Sequence, residues 1–161
     1  MSKTINQWFD EYGESHQNST NKLFHFVCVP TIFFSFIGLL SLVSLPDIFG
    51  VNTKIDSVFF SLASLVIILS FLFYLRLSFS IAIGMIFVSI ITLWLNYFIY
   101  KLDIIPLWLF SIIIFALAWV GQFYGHKVEG KKPSFFKDLQ FLLIGPAWIM
   151  SFIYKKLNIK Y

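Results

Sequence analysis

Apolar residues run through this chain in stretches too long and too uniform for the core of a water-soluble domain. Residues 23–45, 58–75, 78–100 and 105–125 are almost free of charge and end at Pro, Lys, Arg or Asp. A hydrocarbon layer about 30 Å thick takes about 20 helical residues to cross, because a backbone facing lipid must pair its own amides. These four stretches are therefore predicted to be transmembrane helices. Their apolar residues surround the helix instead of favouring one side, as expected where a helix meets lipid as well as its neighbours. The second and third are separated only by Arg76 and Leu77, which makes them a hairpin. A further apolar run, 139–154, is shorter and has Gly145-Pro146 at its middle, so segment 134–154 reads as a re-entrant or interfacial element.

Residues 1–22 follow a different pattern. Ile5, Trp8, Phe9, Tyr12 and His16 recur at helical spacing, predicting a helix from about Lys3 with one aromatic stripe and with Asp10, Glu11 and Glu14 largely off it. Such a helix lies along the interface, where Trp and Tyr are favoured. The run Gln17-Asn18-Ser19-Thr20-Asn21 then supplies turn and N-cap oxygens. The expected fold is all-α: one integral membrane helical bundle, residues 1–161. It has four transmembrane helices, an N-terminal amphipathic helix and a C-terminal re-entrant or interfacial helix.

Composition excludes an ordinary soluble domain: 58% of the 161 residues are hydrophobic, 12% are charged, and the mean hydropathy is +0.82. Four crossings put Lys3, Lys22, Arg76, Lys127, Lys131, Lys132, Lys137, Lys155, Lys156 and Lys160 on one side, and Lys54 and Lys101 on the other. Basic residues stay in the cytoplasm, so both termini are expected there. The net charge of +4 reads as attraction to anionic headgroups, with no nucleic-acid partner. The chain opens with polar and acidic residues, no cleavable signal is visible, and the first span is expected to be retained. Cys28 has no second cysteine to pair with and reads as a small buried hydrophobe. Richness in Phe, Ile and Lys favours a bacterial inner membrane over the endoplasmic reticulum.

Chemistry enters with the histidines. His16, His25 and His126 all fall at one membrane face although about a hundred residues separate the second from the third. On an unbroken helix the nine residues between His16 and His25 would turn roughly 900° and set the rings on opposite sides; a turn at 17–21 lets them face each other. Asn21 and His25 share a face at i, i+4, as do Gln122 and His126, and Glu129 follows one turn later. A histidine at a span end is often only a satisfied polar residue, Glu129 beside Lys127, Lys131 and Lys132 can be a solvated pair, and Gln122 can simply bond a neighbouring helix. Against that, ionisable groups at a membrane boundary generally serve function. The pattern leaves both readings standing. No phosphate-binding glycine loop, CxxC zinc pattern, serine-nucleophile motif or internal repeat is present.

Two blocks of residues resemble a known family. Tyr12, His16, Asn18, Asn21, His25 and Val29-Pro30-Thr31 form the first, and Trp119, Gln122-Phe123, Gly125-His126, Glu129, Pro133 and Gly145-Pro146 the second. Together they look like the fungal 2-hydroxy-fatty-acid dioxygenases and their bacterial relatives. The resemblance implies an iron(II)-dependent alpha-oxidation in which a 2-hydroxy fatty acid reacts with dioxygen and loses its carboxyl carbon. It implies His16, His25 and His126 as metal ligands, with Glu129 as a fourth ligand or a supporting acid. Tyr12, Asn21 and Gln122 would orient ligands or oxygen, and Lys127, Lys131 or Lys132 would draw in the substrate carboxylate. One departure is visible: the spacing His126-Lys127-Val128-Glu129 is a residue shorter than in the fungal members, which turns the carboxylate by about 100°. Histidine-rich di-iron hydroxylases and desaturases need many more histidines. The remaining rival is a small lipid-binding or membrane-organising protein without chemistry, which predicts no metal.

Overall fold

Caps at the polar breaks, more than the apolar runs, decide where the helices begin. The computed structural model describes residues 3–50, 58–130 and 135–161, and of residues 135–140 the backbone alone. Its elements are α1 (Ile5–Gly13), α2 (Ser19–Ser41), α3 (Leu45–Phe49), α4 (Leu62–Leu77), α5 (Phe79–Leu102), α6 (Leu107–Glu129) and α7 (Phe135–Lys156), with no strand among the described residues.

Thr4 and Gln7 start α1 by exchanging side-chain and backbone bonds, so two otherwise orphaned amides are satisfied. Asn18 caps α2 by accepting from the amides of Thr20 and Asn21. That cap explains why α2 begins at Ser19, earlier than the apolar run at residue 23 suggests. It ends at Ser41, before the expected residue 45, because Ser44 and Pro46 start the short helix α3. α4 begins at Leu62 and not at residue 58, because Leu45 N–H donates to Phe60 and Leu62 N–H to Val43 across a Ser44–Ser61 bridge. This leaves α4 with 16 residues, about 24 Å of helix. Among the described residues α2, α5 and α6 are the three helices long and apolar enough to cross a bilayer, which is consistent with a membrane protein. α4, the second of the four expected spans, is an apolar helix shorter than these three.

α7 departs from expectation in one respect. It runs as a single helix through Gly145-Pro146, so the chain does not turn back there as a re-entrant segment would. Pro146 brings no N–H to the helix. One carbonyl in the turn before it, that of Leu143, accepts from the Tyr74 hydroxyl at 2.6 Å. A second tyrosine, Tyr154, donates to the Ser80 carbonyl at 2.7 Å, so α7 is tied to both arms of the α4–α5 hairpin.

α2 and α6 form the closest antiparallel pair, and their contact is lined by small residues on α6. A Cβ on Gly121 would stand 2.6 Å from Cys28 Sγ, and one on Gly125 2.6 Å from Asn21 Oδ1. Only glycine allows the backbones this near. The stripe on α1 buries Ile5, Phe9 and Tyr12 in one cluster with Ile144, Ala147 and Trp148 of α7. The aromatic face of α1 is thus turned to the bundle. These contacts carry the start of α2 and the end of α6 to the same place, beside the α1–α2 turn.

Candidate metal centre

The turn after α1 places the first imidazole. His16 N–H bonds the carbonyl of Gly13 at 2.9 Å, and the ring folds back to stack on Tyr12, with centroids 4.2 Å apart and planes at 14°. Its Nδ1 lies 2.5 Å from the Tyr12 carbonyl, and Nδ1 of His25 lies 2.9 Å from the Asn21 carbonyl. A carbonyl only accepts, so in both rings Nδ1 carries the hydrogen and Nε2 offers its lone pair, the state in which imidazole binds a metal. The last turn of α6 brings His126 to them. Ring centroids are 4.1 Å apart for His16 and His25, 4.9 Å for His25 and His126, and 5.5 Å for His16 and His126.

One nitrogen from each ring lies within 4.8 Å of the other two. His16 and His25 are 3% and 1% exposed, burial that a bare solvated histidine pair would not adopt. Three neutral nitrogen donors without a bridging carboxylate fit a divalent transition metal that keeps open positions; imidazole suits iron, zinc, copper and nickel alike.

Glu129 stands outside this trio and has a different set of partners. Its Oε1 accepts from the amide of Gln17 at 2.9 Å, and its Oε2 from the amide of Asn18 at 2.9 Å and from Asn21 Nδ2 at 3.0 Å. Asn21 Nδ2 also donates to the carbonyl of Ser15 at 3.1 Å. The carboxylate thereby fastens the end of α6 to the turn that carries His16 and to the N-terminus of α2, where a negative charge is favoured. Asn21 is fully buried between this carboxylate and Gly125.

A cavity of about 450 Å³ opens from the histidines into the bundle. Tyr12, Ser15, Gln122 and the three histidines are among its polar lining, and the rest of the wall is mostly apolar, interrupted by Ser70, Tyr74 and Ser89. Gln122 is 7% exposed, and its Oε1 has no hydrogen-bond partner among the described residues. Lys127 is exposed on α6, while Lys131 and Lys132 lie outside the described residues.

Some residues here have no counterpart in the sequence reading. Trp148 packs against two residues of the site, its ring centroid 5.5 Å from that of His16 and 5.2 Å from that of Tyr12. The apolar lining from α2, namely Val29, Ile32, Phe33, Phe36 and Ile37, was detectable, because those positions continue the helical face of His25. The backbone donors that hold Glu129 leave no trace in a sequence.

A family model described as 2-hydroxy-palmitic acid dioxygenase Mpo1-like matches residues 2–157. No curated protein and no solved structure matches.

Proposed function

The chain belongs to the Mpo1-like family, and from that premise we propose that it is an iron(II)-dependent dioxygenase acting on 2-hydroxy fatty acids within a membrane. The observation that carries the reading is the meeting of three imidazoles, from the two ends of the chain, at the head of an apolar cavity. Cleavage of the bond between C1 and C2 releases four electrons to one dioxygen; C2 becomes the new carboxyl, C1 leaves as carbon dioxide, and water forms. The product is an acid one carbon shorter.

His16, His25 and His126 would hold the metal. Ferrous iron, when bound, supplies positions for dioxygen and for the hydroxyl and carboxylate of the substrate. The chain's own side chains do the rest. Tyr12 and Trp148 pack the ring of His16 in place, and Glu129, through Asn21 and the α1–α2 turn, fixes the approach of α1 to α2. In this reading Glu129 supports the ligands and is not one of them, since three donors already engage its two oxygens. Gln122 presents an amide to the reacting end of the substrate, and Lys127, with Lys131 and Lys132, attracts the carboxylate to the mouth. The apolar walls hold the tail and keep water out.

The membrane topology follows the same reading. α4 makes the fourth crossing as one arm of the hairpin at Arg76, and both termini lie in the cytoplasm of a bacterial cell. Anaerobic purification with metal analysis, followed by oxygen uptake with a 2-hydroxy fatty acid, tests the proposal. About one iron per chain is expected, and His16→Ala, His25→Ala and His126→Ala each lose it. Unchanged iron in all three variants defeats the ligand assignment, and a protein that binds lipid but no metal in any preparation returns the case to a non-enzymatic lipid binder.

A further inference from the structure

We infer that the far end of the cavity is a ruler for the substrate tail, with Ile37 and Ile67 setting the longest acid the enzyme accepts. The inference rests on the reading of the site as one for 2-hydroxy fatty acids. From His25 the cavity follows one face of α2 through Val29, Ile32, Phe33 and Phe36 to Ile37. Twelve residues of helix separate His25 from Ile37, about 18 Å, or the length of about 14 methylenes at roughly 1.3 Å each. With C1 and C2 held at the histidines, a straight chain of about 16 carbons reaches Ile37.

Ile37 is the last residue of α2 to line the cavity, and with Ile67 it belongs to a packed cluster that forms its floor in this proposal. Ile37 is 1% exposed, Ile67 7% and Ala63 0%, and Phe33, Leu40, Ile86 and Leu93 pack around these three. Behind the floor α2 and α5 are fastened together: Asn96 Nδ2 donates to the carbonyl of Phe34 at 3.2 Å and to that of Thr92 at 2.9 Å. Ser89, which also lines the cavity, turns its hydroxyl back on the Met85 carbonyl at 2.8 Å. The floor therefore offers an alkyl terminus apolar contact and a firm stop. A close-packed interior does not yield to extra methylenes without strain.

The test pairs a binding measurement that needs no metal with turnover. Saturated straight-chain acids of graded length, from about 12 to about 20 carbons, displace a fluorescent fatty acid from metal-free protein, and oxygen uptake is then followed with the 2-hydroxy acids of the same lengths. The wild type is expected to bind best near 16 carbons and about tenfold more weakly at the longest length. Ile37→Ala and Ile67→Ala move that limit about two to three carbons longer, and Ile67→Phe moves it shorter. Ile67 is the less buried of the two, so its variants disturb the floor with least risk to the fold. The same limit in every variant, or no limit in the wild type, overturns the ruler whatever the enzyme does. A limit that shifts as expected, with no turnover at any length in iron-loaded protein, upholds the ruler and defeats the oxygenase reading instead.

Discussion

At one end of the α2–α6 pair, Asn21, Gln122, His16 and His25 are buried and His126 half-buried around the head of a cavity; at the other, Ser41, Asn96 and Ser111 are buried beside Gly38. Both ends are polar, and at each a glycine lets the helices approach closely, at Gly125 and at Gly38. At the Gly38 end the Ser41 hydroxyl and the Asn96 amide donate to backbone carbonyls close by. Ser41 bonds Gly38, and Asn96 bonds Phe34 and Thr92, so polarity there holds helices together. No metal-ligating side chain takes part among the described residues. At the histidine end, ring nitrogens from α1's turn, α2 and α6 converge on one space, and Glu129 braces the segments that carry them. Buried polarity between apolar helices is fastening by default. What marks a site is convergence of ligand atoms upon an open cavity.

Substitutions at the two ends put that contrast at risk, and they rank by their effect on activity. His25→Ala is expected to cut turnover by more than about 100-fold and to strip iron, with the fold retained; metal analysis and oxygen uptake read both. Glu129→Gln keeps the shape of the brace but removes its charge. Iron affinity should fall about tenfold, seen by competition with a chelator, while the helix content is unchanged. A complete loss of iron in this variant would make Glu129 a ligand and erase its separation from the histidines. Asn96→Ala strikes the other end. It should lower stability by about 1–3 kcal/mol in thermal or denaturant unfolding and leave iron content and turnover per folded molecule near wild type. A fall in turnover matching that of Glu129→Gln would show that the two ends are not separate in kind.

Much of the architecture was legible in the apolar pattern because a bilayer imposes one requirement on every span. The helix ends were less so. The Asn18 side chain started α2 early and backbone bonds beside the Ser44–Ser61 bridge started α4 late, and neither effect shows in the apolar pattern. Gly145-Pro146 suggested a break in α7, yet tertiary contacts, including the Tyr74 hydroxyl, accommodate a proline within a continuous helix. For the site, the even number of predicted crossings between His25 and His126 was enough to bring both to one face. Trp148 and the partners of Glu129 stayed hidden, since neither an aromatic ring packed on His16 from another helix nor a pair of backbone amides carries a motif.

The distribution of the three histidines along the chain has a consequence for biogenesis. A ribosome working at about 5–20 residues per second delivers His25 some 5–20 s before His126. During that interval α2 can enter the bilayer, but the partner helix that completes the trio does not yet exist. In the proposed metalloenzyme, loading therefore comes late, after α6 has been made, and a nascent chain arrested within α5 would carry two imidazoles that nothing yet encloses.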